Sequence, residues 1–419
     1  MVTLLDTVLF STYFILLFLS IFWLLVLFAP QEEKKKKAHQ EPFFSTIVPA
    51  YNEEKSIRGT LQSLVNLEYP PEKMEIIVVN DGSTDQTKEI VERFIQQHPQ
   101  RKIILLNQRN KGKASAMNNG LSIVKGKFFA CLDADSFVSS NALQVMLPLF
   151  EDDENVAAVC PMIKVKKPQS VLEKVQWYEY IINMFHRFLN AKLNCLHVTP
   201  GPFSVYRADV IRKIGGFDEE TITEDLEIAI RLQKNHYKIM HTFEAIVETF
   251  APVTWKALFR QRVRWYKGAT DNTFRYKDLV FNKKYGDFGM IRMPTIVLSG
   301  IIAIVLGATL LHSLGKTIVG KLIYYQSINF DFLTLIMNYR PDINLLTLPF
   351  AKLFIAATLM AISFFIMIYS HKVIKEKITN YGRTFLSLFT YLLIYGFFLT
   401  AVWVYIGFMV VSGKKNFWR

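Results

Sequence analysis

Cysteine is scarce: Cys131, Cys160 and Cys195 are the only three in 419 residues. They lie far apart, without metal-ligand spacing, and an odd number leaves one thiol unpaired. A disulfide scaffold and a thiolate cluster are both excluded, and the thiols read as reduced. Cys131, inside the apolar run Phe128 to Leu132, reads as a core residue. Internal repeats are lacking too, and the one low-complexity stretch is Lys34 to Lys37, so the chain is not a repeat array. Charge is missing from four long runs: Thr7 to Ala29, Met293 to Gly315, Leu353 to Ser370 and Thr384 to Gly413. A membrane span needs roughly 20 apolar residues, so these runs predict four transmembrane helices. The first also lacks the basic start and short core of a signal peptide, which favours an anchor.

What is present is a basic surplus. Lysine and arginine number 49 against 36 acidic residues, a formal net charge of +13. Much of it flanks the spans, where it suits anionic lipid. It does not form the basic face of a nucleic-acid binder, so no nucleic-acid partner is expected. By the positive-inside rule Lys34 to Lys37 put the following block in the cytoplasm, and Lys372, Lys375, Lys377 and Arg383 belong on the same side. Four spans satisfy both clusters but leave Lys414, Lys415 and Arg419 outside, against the rule. A half-membrane segment near Ile323 to Met337 would change that count. The expected organisation is an anchor and basic linker over 1–41, a soluble domain over 42–250, an amphipathic interfacial segment over 251–290, and about three further helices over 291–419.

The soluble block alternates strand and helix patterns. Strands are expected at Phe43 to Val48, Glu75 to Val79, Ile103 to Leu106 and Phe128 to Leu132, with helices between them. Repeated βαβ units imply a Rossmann-like, mostly parallel sheet with helices on both faces. Such sheets bind ligands at the carboxyl ends of their strands, where Asp81 and Asp133 fall.

Several clusters carry chemistry. Asp133 and Asp135 face the same way if the strand runs through them. Two such carboxylates repel each other unless a cation sits between them, and Mg²⁺ or Mn²⁺ binds oxygen ligands of this kind while bridging phosphates. The alternative is an ordinary acidic turn. Asp81 either caps the next helix or accepts a hydrogen bond from a uracil ring, with Tyr51, Glu53 and Glu54 closing the same pocket. Lys111-Gly112-Lys113 suits a phosphate, or is a solvated basic turn. Thr223-Glu224-Asp225 opens a helix. A capping box of Thr221 and Glu224 accounts for it; otherwise Asp225 is a general base, with Glu224 as a minor alternative. The helix dipole should depress the Asp225 pKa and weaken it as a base.

Gln261, Arg264 and Trp265 share one wedge of about 100° on a helical wheel. Trp255, Leu258, Phe259, Val263 and Tyr266 form an apolar stripe on another side. Arginine offers a planar fork for phosphate oxygens and tryptophan a flat face for a sugar. A basic interfacial helix would explain Arg260, Arg262 and Lys267 equally well.

In this order, Ile-Val-Pro-Ala-Tyr-Asn-Glu-Glu, Val-Asn-Asp-Gly-Ser-Thr-Asp, Cys-Leu-Asp-Ala-Asp, Thr-Glu-Asp and Gln-Arg-Val-Arg-Trp span the soluble block almost end to end. The set resembles the membrane-embedded family 2 glycosyltransferases of the processive polysaccharide-synthase group, which includes cellulose, hyaluronan and poly-N-acetylglucosamine synthases. The resemblance implies a GT-A fold, a UDP-sugar donor, a divalent metal (Mg²⁺ or Mn²⁺) and inversion at the anomeric carbon. It implies uridine contacts at Tyr51, Glu53 and Asp81, and metal–diphosphate contacts at Asp133 and Asp135, with Lys113 beside the nucleotide. It casts Asp225 as base, Gln261 and Arg264 as diphosphate holders, and Trp265 as acceptor platform. The implied partners are the donor, a growing polysaccharide, membrane lipid and room for an accessory membrane subunit, all at the cell membrane. The sugar expected first is N-acetylglucosamine. Thr199-Pro200-Gly201-Pro202-Phe203 departs from the Ser-Gly sequence expected around the acceptor, which bears on the sugar and not on the reaction. Two other readings stay open: a single transfer to a polyprenyl-phosphate or lipid-linked glycan, and a non-catalytic membrane protein. Few ionisable groups lie in the spans, which argues against a transport path.

Overall fold

The computed structural model describes residues 4–30, 41–151, 153–337, 350–382 and 385–413. The lysine run Lys34 to Lys37 lies outside them, as do Arg383, Lys414, Lys415 and Arg419.

Helix α1 (Leu4–Phe28) leads into strand β1 (Phe44–Ala50), α2 (Ile57–Val65), β2 (Met74–Asn80), α3 (Thr87–Gln97), β3 (Lys102–Asn107), α4 (Lys113–Ile123) and β4 (Phe128–Cys131). These are the expected βα units. The second half continues with β5 (Ser136–Val138), α5 (Ala142–Met146), β6 (Val156–Val165), α6 (Val171–Lys192), β7 (Ser204–Arg207), α7 (Ala208–Lys213), α8 (Glu224–Lys234) and β8 (Lys238–Thr249). After the sheet come α9 (Trp255–Arg275), α10 (Met293–Ser327), the short α11 (Phe332–Met337), α12 (Phe350–Ile374), α13 (Phe385–Phe389) and α14 (Tyr395–Val411).

One eight-stranded sheet runs β3-β2-β1-β4-β7-β6-β8-β5. The β3-β2-β1-β4 half is parallel, with Phe44 opposite both Met74 and Phe128. β7 pairs antiparallel with β4 and β6, β6 runs parallel to β8, and β5 closes the edge antiparallel to β8. β1 and β2 are buried on both faces, as near-continuous apolar strands under helices must be. Cys131, Cys160 and Cys195 are free and buried.

Four helical stretches are long and apolar enough to cross a membrane: Thr7–Phe28, Phe288–Ser327, Leu353–Ile374 and Phe385–Val411. The second runs well past the expected end at Gly315. Ile323 to Ser327 thus continues a long helix, and the sought half-membrane segment reduces to α11 among the described residues. α10 packs on α14 through small residues, since a methyl group on Gly307 would come within 2.8 Å of Thr400.

The join between membrane helices and soluble block is ionic. Arg262 on α9 is fully buried. Its Nε donates to Glu179 Oε1 on α6 at 3.1 Å, and its Nη2 reaches the other carboxylate oxygen. Tyr395 at the start of α14 donates to Glu179 Oε2 at 2.8 Å. The guanidinium also lies 4.1 Å over the Trp265 ring. The apolar stripe of α9 faces α14: Trp255 and Phe259 meet Phe398, and Tyr266 stacks on Trp403 with centroids 5.0 Å apart. The interfacial reading of Arg262 and Lys267 is therefore overturned. Arg262 pairs inside the protein, Lys267 is buried against Asp271, and Arg260 alone of the three is exposed.

Breaking a buried pair from one side strands a charge, at a cost of about 3–5 kcal/mol. Glu179→Ala should lower the thermal midpoint of the detergent-solubilised protein by several degrees. Adding Arg262→Met should recover much of that loss. An unchanged midpoint in the single variant would show the pair to be idle.

Candidate functional site

The carboxyl ends of β1, β2 and β4 open onto a crevice of about 380 Å³. Tyr51, Glu53, Asp81, Asn110, Gly112, Lys113, Asp133, Asp135 and Arg264 line it. Seven of these come from four separate sequence clusters already singled out, and Arg264 arrives from α9, far along the chain.

β4 ends at Cys131, so Asp133-Ala134-Asp135 is a turn and not strand, which corrects the expected i, i+2 strand geometry. The turn is closed by Ser136 N donating to Asp133 O at 3.0 Å. Both carboxylates still reach the crevice. Burial, then the charges of Asp133 and Glu53, push the Asp135 carboxyl up to about 6. Burial likewise raises the Glu53 pKa, with Asp133 and Asp85 adding to it, although Ser56 donates to its Oε2 at 2.5 Å.

Asp81 caps no helix. Its Oδ1 accepts from Gln108 Nε2 at 2.8 Å and from Lys111 N at 2.9 Å, and its Oδ2 accepts from Gly112 N at 2.9 Å. The carboxylate folds the Lys111–Gly112 loop under the crevice, and Gly112 takes φ +92°, which a side chain would resist. The loop amides expected to meet a phosphate are thus turned to Asp81.

Lys113 is also committed. Its ammonium lies 2.6 Å from Asp133 Oδ1, an ion contact outside hydrogen-bond alignment, and 2.9 Å from Glu224 Oε1. Burial opposes its charge, but the two carboxylates hold its pKa above the usual lysine range. Lys113 thereby joins the β4 turn to the start of α8. The Thr221–Glu224 capping box does not form: Thr223 is the cap residue without a side-chain cap bond, and Glu224 turns to Lys113. Burial works against the Glu224 charge, yet Lys113 brings its pKa below the ordinary value.

Asp225 behaves oppositely. Burial, then the adjoining Glu224 charge, push its pKa up to about 6, against the pull of Lys113, Arg264 and Arg187. Desolvation outweighs the helix dipole that the sequence reading relied on. Asp225 Oδ1 accepts only from Leu226 N, at 2.9 Å.

Arg264 reaches the crevice; Gln261, Trp265, Glu224 and Asp225 are not among its lining residues, and the last two adjoin it through Lys113. Gln261 Oε1 accepts from Arg262, and Trp265 is partly buried against the main core. Sequence reasoning missed Asn110 and the role of Gly201. A methyl group on Gly201 would stand 2.8 Å from Lys113 Nζ and 3.0 Å from Asp133 Oδ2, so this backbone forms a wall of the site. Its signal was the unexpected Pro-Gly-Pro stretch.

The Lys113 charge lowers the pKa of both Asp135 and Asp225. Lys113→Met should therefore move both carboxyls above about 6, visible in an infrared titration of the protonated carboxyl stretch. Unmoved titrations would remove the lysine from its electrostatic role.

Residues 45–215 match the model of glycosyl transferase family 2. A poly-beta-1,6-N-acetyl-D-glucosamine synthase of Staphylococcus epidermidis is 30% identical over 271 residues, covering 62% of this chain and 65% of the relative. A probable glycosyltransferase of Bacillus subtilis, YdaM, is 33% identical over 243 residues, covering 54% of this chain and 55% of the relative. The chain thus spans less than two thirds of the length of these relatives. Among solved structures, a mannosyltransferase from Pyrobaculum calidifontis, in complex with GDP-Man and Mn²⁺, has a TM-score of 0.59. That likeness covers 93% of this chain and 97% of the other at 18% identity, and is one of fold. Residues 45–215 thus match a glycosyl transferase family 2 domain, the fold is GT-A-like, and four helices flanking it are long and apolar enough to cross a membrane.

Proposed function

We propose that this protein is an inverting glycosyltransferase that polymerises a sugar from a UDP-sugar donor at the cytoplasmic face of the cell membrane. One observation carries the reading: Asp133, Asp135 and Arg264 share a crevice with Lys113, which bridges Asp133 to Glu224 beside Asp225. UDP-N-acetylglucosamine is the donor favoured, because relatives at 29–30% identity are named poly-beta-1,6-N-acetyl-D-glucosamine synthases. The basic flanks of the spans support the cytoplasmic side.

The residues fit a divalent cation. Asp133 and Asp135 bring two carboxylates together; burial first, and then the Asp133 and Glu53 charges, raise the Asp135 pKa, and a cation would offset both. Among the described residues no group of three or more His, Cys, Asp or Glu could hold a metal alone. That suits Mg²⁺ or Mn²⁺, which take one or two carboxylates and complete their shell with phosphates and water. When bound, the metal supplies neutralisation of charge on the departing diphosphate.

The chain's own groups do the remainder. Arg264 sets its guanidinium where diphosphate charge builds. Tyr51, Glu53 and Asp81 form the nucleoside end of the crevice. Asp225 is the base: its pKa near 6 leaves it ionised at neutral pH and a stronger base than an ordinary aspartate. Glu224, tied to Lys113, is the weaker choice. The acceptor hydroxyl forms the new bond to the anomeric carbon as its proton passes to Asp225. The bond to UDP breaks with its electron pair leaving on the diphosphate oxygen. Trp265 and Gln261 lie outside the crevice lining, so the acceptor-platform and diphosphate roles expected of them would require movement of α9 side chains; the polymer would leave through the protein's own spans.

Asp225→Asn should abolish sugar transfer while UDP binding survives. In the wild type, UDP release should fall as pH drops through about 6, because protonation removes the base. Full turnover in the asparagine variant, or an acid limb near 4 instead, would remove Asp225 from this role. A chelator should stop UDP release from a panel of UDP-sugars, and added Mg²⁺ or Mn²⁺ should restore it. Asp135→Asn should raise the metal concentration needed for half-maximal rate by about tenfold or more; an unchanged requirement would place the metal elsewhere.

A further inference from the structure

A second group of charged side chains lies on the membrane side of Asp225, and the mechanism uses none of them. Arg187 and His186 come from α6, His197 from the loop after it, His241 from β8, and Arg292 from the residue preceding α10. Arg187 is within electrostatic range of Asp225, His197 and His241. Arg292 Nε lies 3.1 Å from His197 Nδ1, and its Nη2 lies 2.8 Å from Nε2. The group is therefore continuous from the base to the start of a span.

Apart from the Arg292–His197 contacts, its polar atoms are largely unused. Among the described residues Arg187 has neither a hydrogen bond nor an ion pair, and its Nη1 is buried without a partner. Both ring nitrogens of His241 are buried and unpartnered as well. Protein around the histidines holds His241 down at about 3 and His186 at about 4, with arginine charge adding to the effect. His186 is exposed at the outer side of the group. Neutral imidazoles beside two guanidiniums supply donors and positive charge with no anion to receive them. Asp225 faces the group from one side, and Asp287, beside Cys195, from the other; neither forms an ion pair with Arg187.

Position selects the source of the missing anion. Lys192, near the end of α6, donates to Leu27 O and Ala29 O at the end of α1, at 2.9 and 3.1 Å. Arg187 stands five residues earlier, about 7.5 Å along the helix. Arg292 stands at the start of another span. The group thus adjoins the ends of two helices long and apolar enough to cross a membrane, which makes a lipid headgroup the anion source to test.

We propose that Arg187, Arg292, His241 and His186 bind the phosphate of a membrane-borne amphiphile, which presents its hydroxyl-bearing part to Asp225 as the first acceptor. Guanidinium forks match phosphate oxygens, and imidazole N–H groups add neutral donors. The acceptor role rests on the glycosyl-transfer reading; the phosphate site does not.

The test uses the full chain in phosphatidylcholine nanodiscs, alone or doped with a long-chain polyprenyl phosphate or with phosphatidylglycerol. Native mass spectrometry reads retained lipid, and calorimetry reads UDP affinity. The wild type should retain a doped lipid phosphate, and the lipid retained identifies the headgroup. Arg187→Gln should cut retention by about tenfold or more, and Arg187→Lys should keep most of it. UDP affinity in all three proteins should match, showing the fold intact. Retention equal in wild type and Arg187→Gln overturns the site. Displacement by inorganic phosphate as effective as by the lipid overturns its lipid character. Arg187-dependent retention without UDP release from any UDP-sugar leaves the site standing and removes the glycosyl-transfer reading. Sugar transfer with retention indifferent to Arg187 does the reverse.

Discussion

A buried guanidinium needs a partner, and Arg262 finds it in Glu179, a residue 83 positions earlier. The rest of the site hangs from that pairing. Arg262 lies between Gln261 and Arg264 on α9, touches Gln261 and stacks under Trp265. Fixing Arg262 therefore fixes the azimuth of the helix, and with it the direction in which Arg264 points. Tyr395 adds a third element by donating to the same carboxylate from the first residue of α14. Burying two charges costs several kcal/mol per ion before their attraction offsets it, so the pair is better understood as a register pin than as a source of stability. A hydrophobic contact would let α9 roll; a fork-to-fork contact does not.

Within the crevice the governing problem is like charge. Asp133, Asp135 and Glu53 line it, Glu224 and Asp225 stand behind Lys113, and Lys113 is the cation that ties the two sets together. The consequence is a division of labour. Glu224 touches the lysine and is held ionised. Asp225, next in sequence but without that contact, keeps a raised pKa. Two neighbouring acids at one helix start thus acquire opposite character from a single ammonium, and that contrast is what separates a structural carboxylate from a basic one.

Much of this was legible in the residues. The βα array, the four spans and the convergence of Asp81, Asp133 and Asp135 at strand ends follow from hydrophobic period and from where parallel sheets bind ligands. What failed needed knowledge of distant partners. On a helical wheel Arg262 looks like one more basic residue beside Arg260, because nothing local announces Glu179. Glu224 fits a capping box until Lys113 claims it. Asp225 seems destined for a low pKa until its burial is known, since the dipole is local and desolvation is tertiary. The antiparallel pairings in the second half of the sheet were not anticipated, because they rest on β5 and β7, strands of three and four residues whose partners lie far along the chain.

The same geometry orders the molecule along one direction. The crevice opens at the sheet edge, Asp225 stands behind Lys113, the Arg187 group lies beyond Asp225, and span ends follow at Lys192 and Arg292. On the proposed function a soluble donor and a membrane-borne acceptor would approach from different sides, with Asp225 as the base between the charges of Lys113 and Arg264 and that of Arg187. Lys113 and Arg264 draw an anionic donor to one side. Arg187 and Arg292 leave an unmet demand for an anion on the other. Each set of charges lowers the Asp225 pKa from its own side, so meeting either with an anion would release that restraint and strengthen the base. On the proposed function, Asp225 as the base would reach full strength when both reactants are in place.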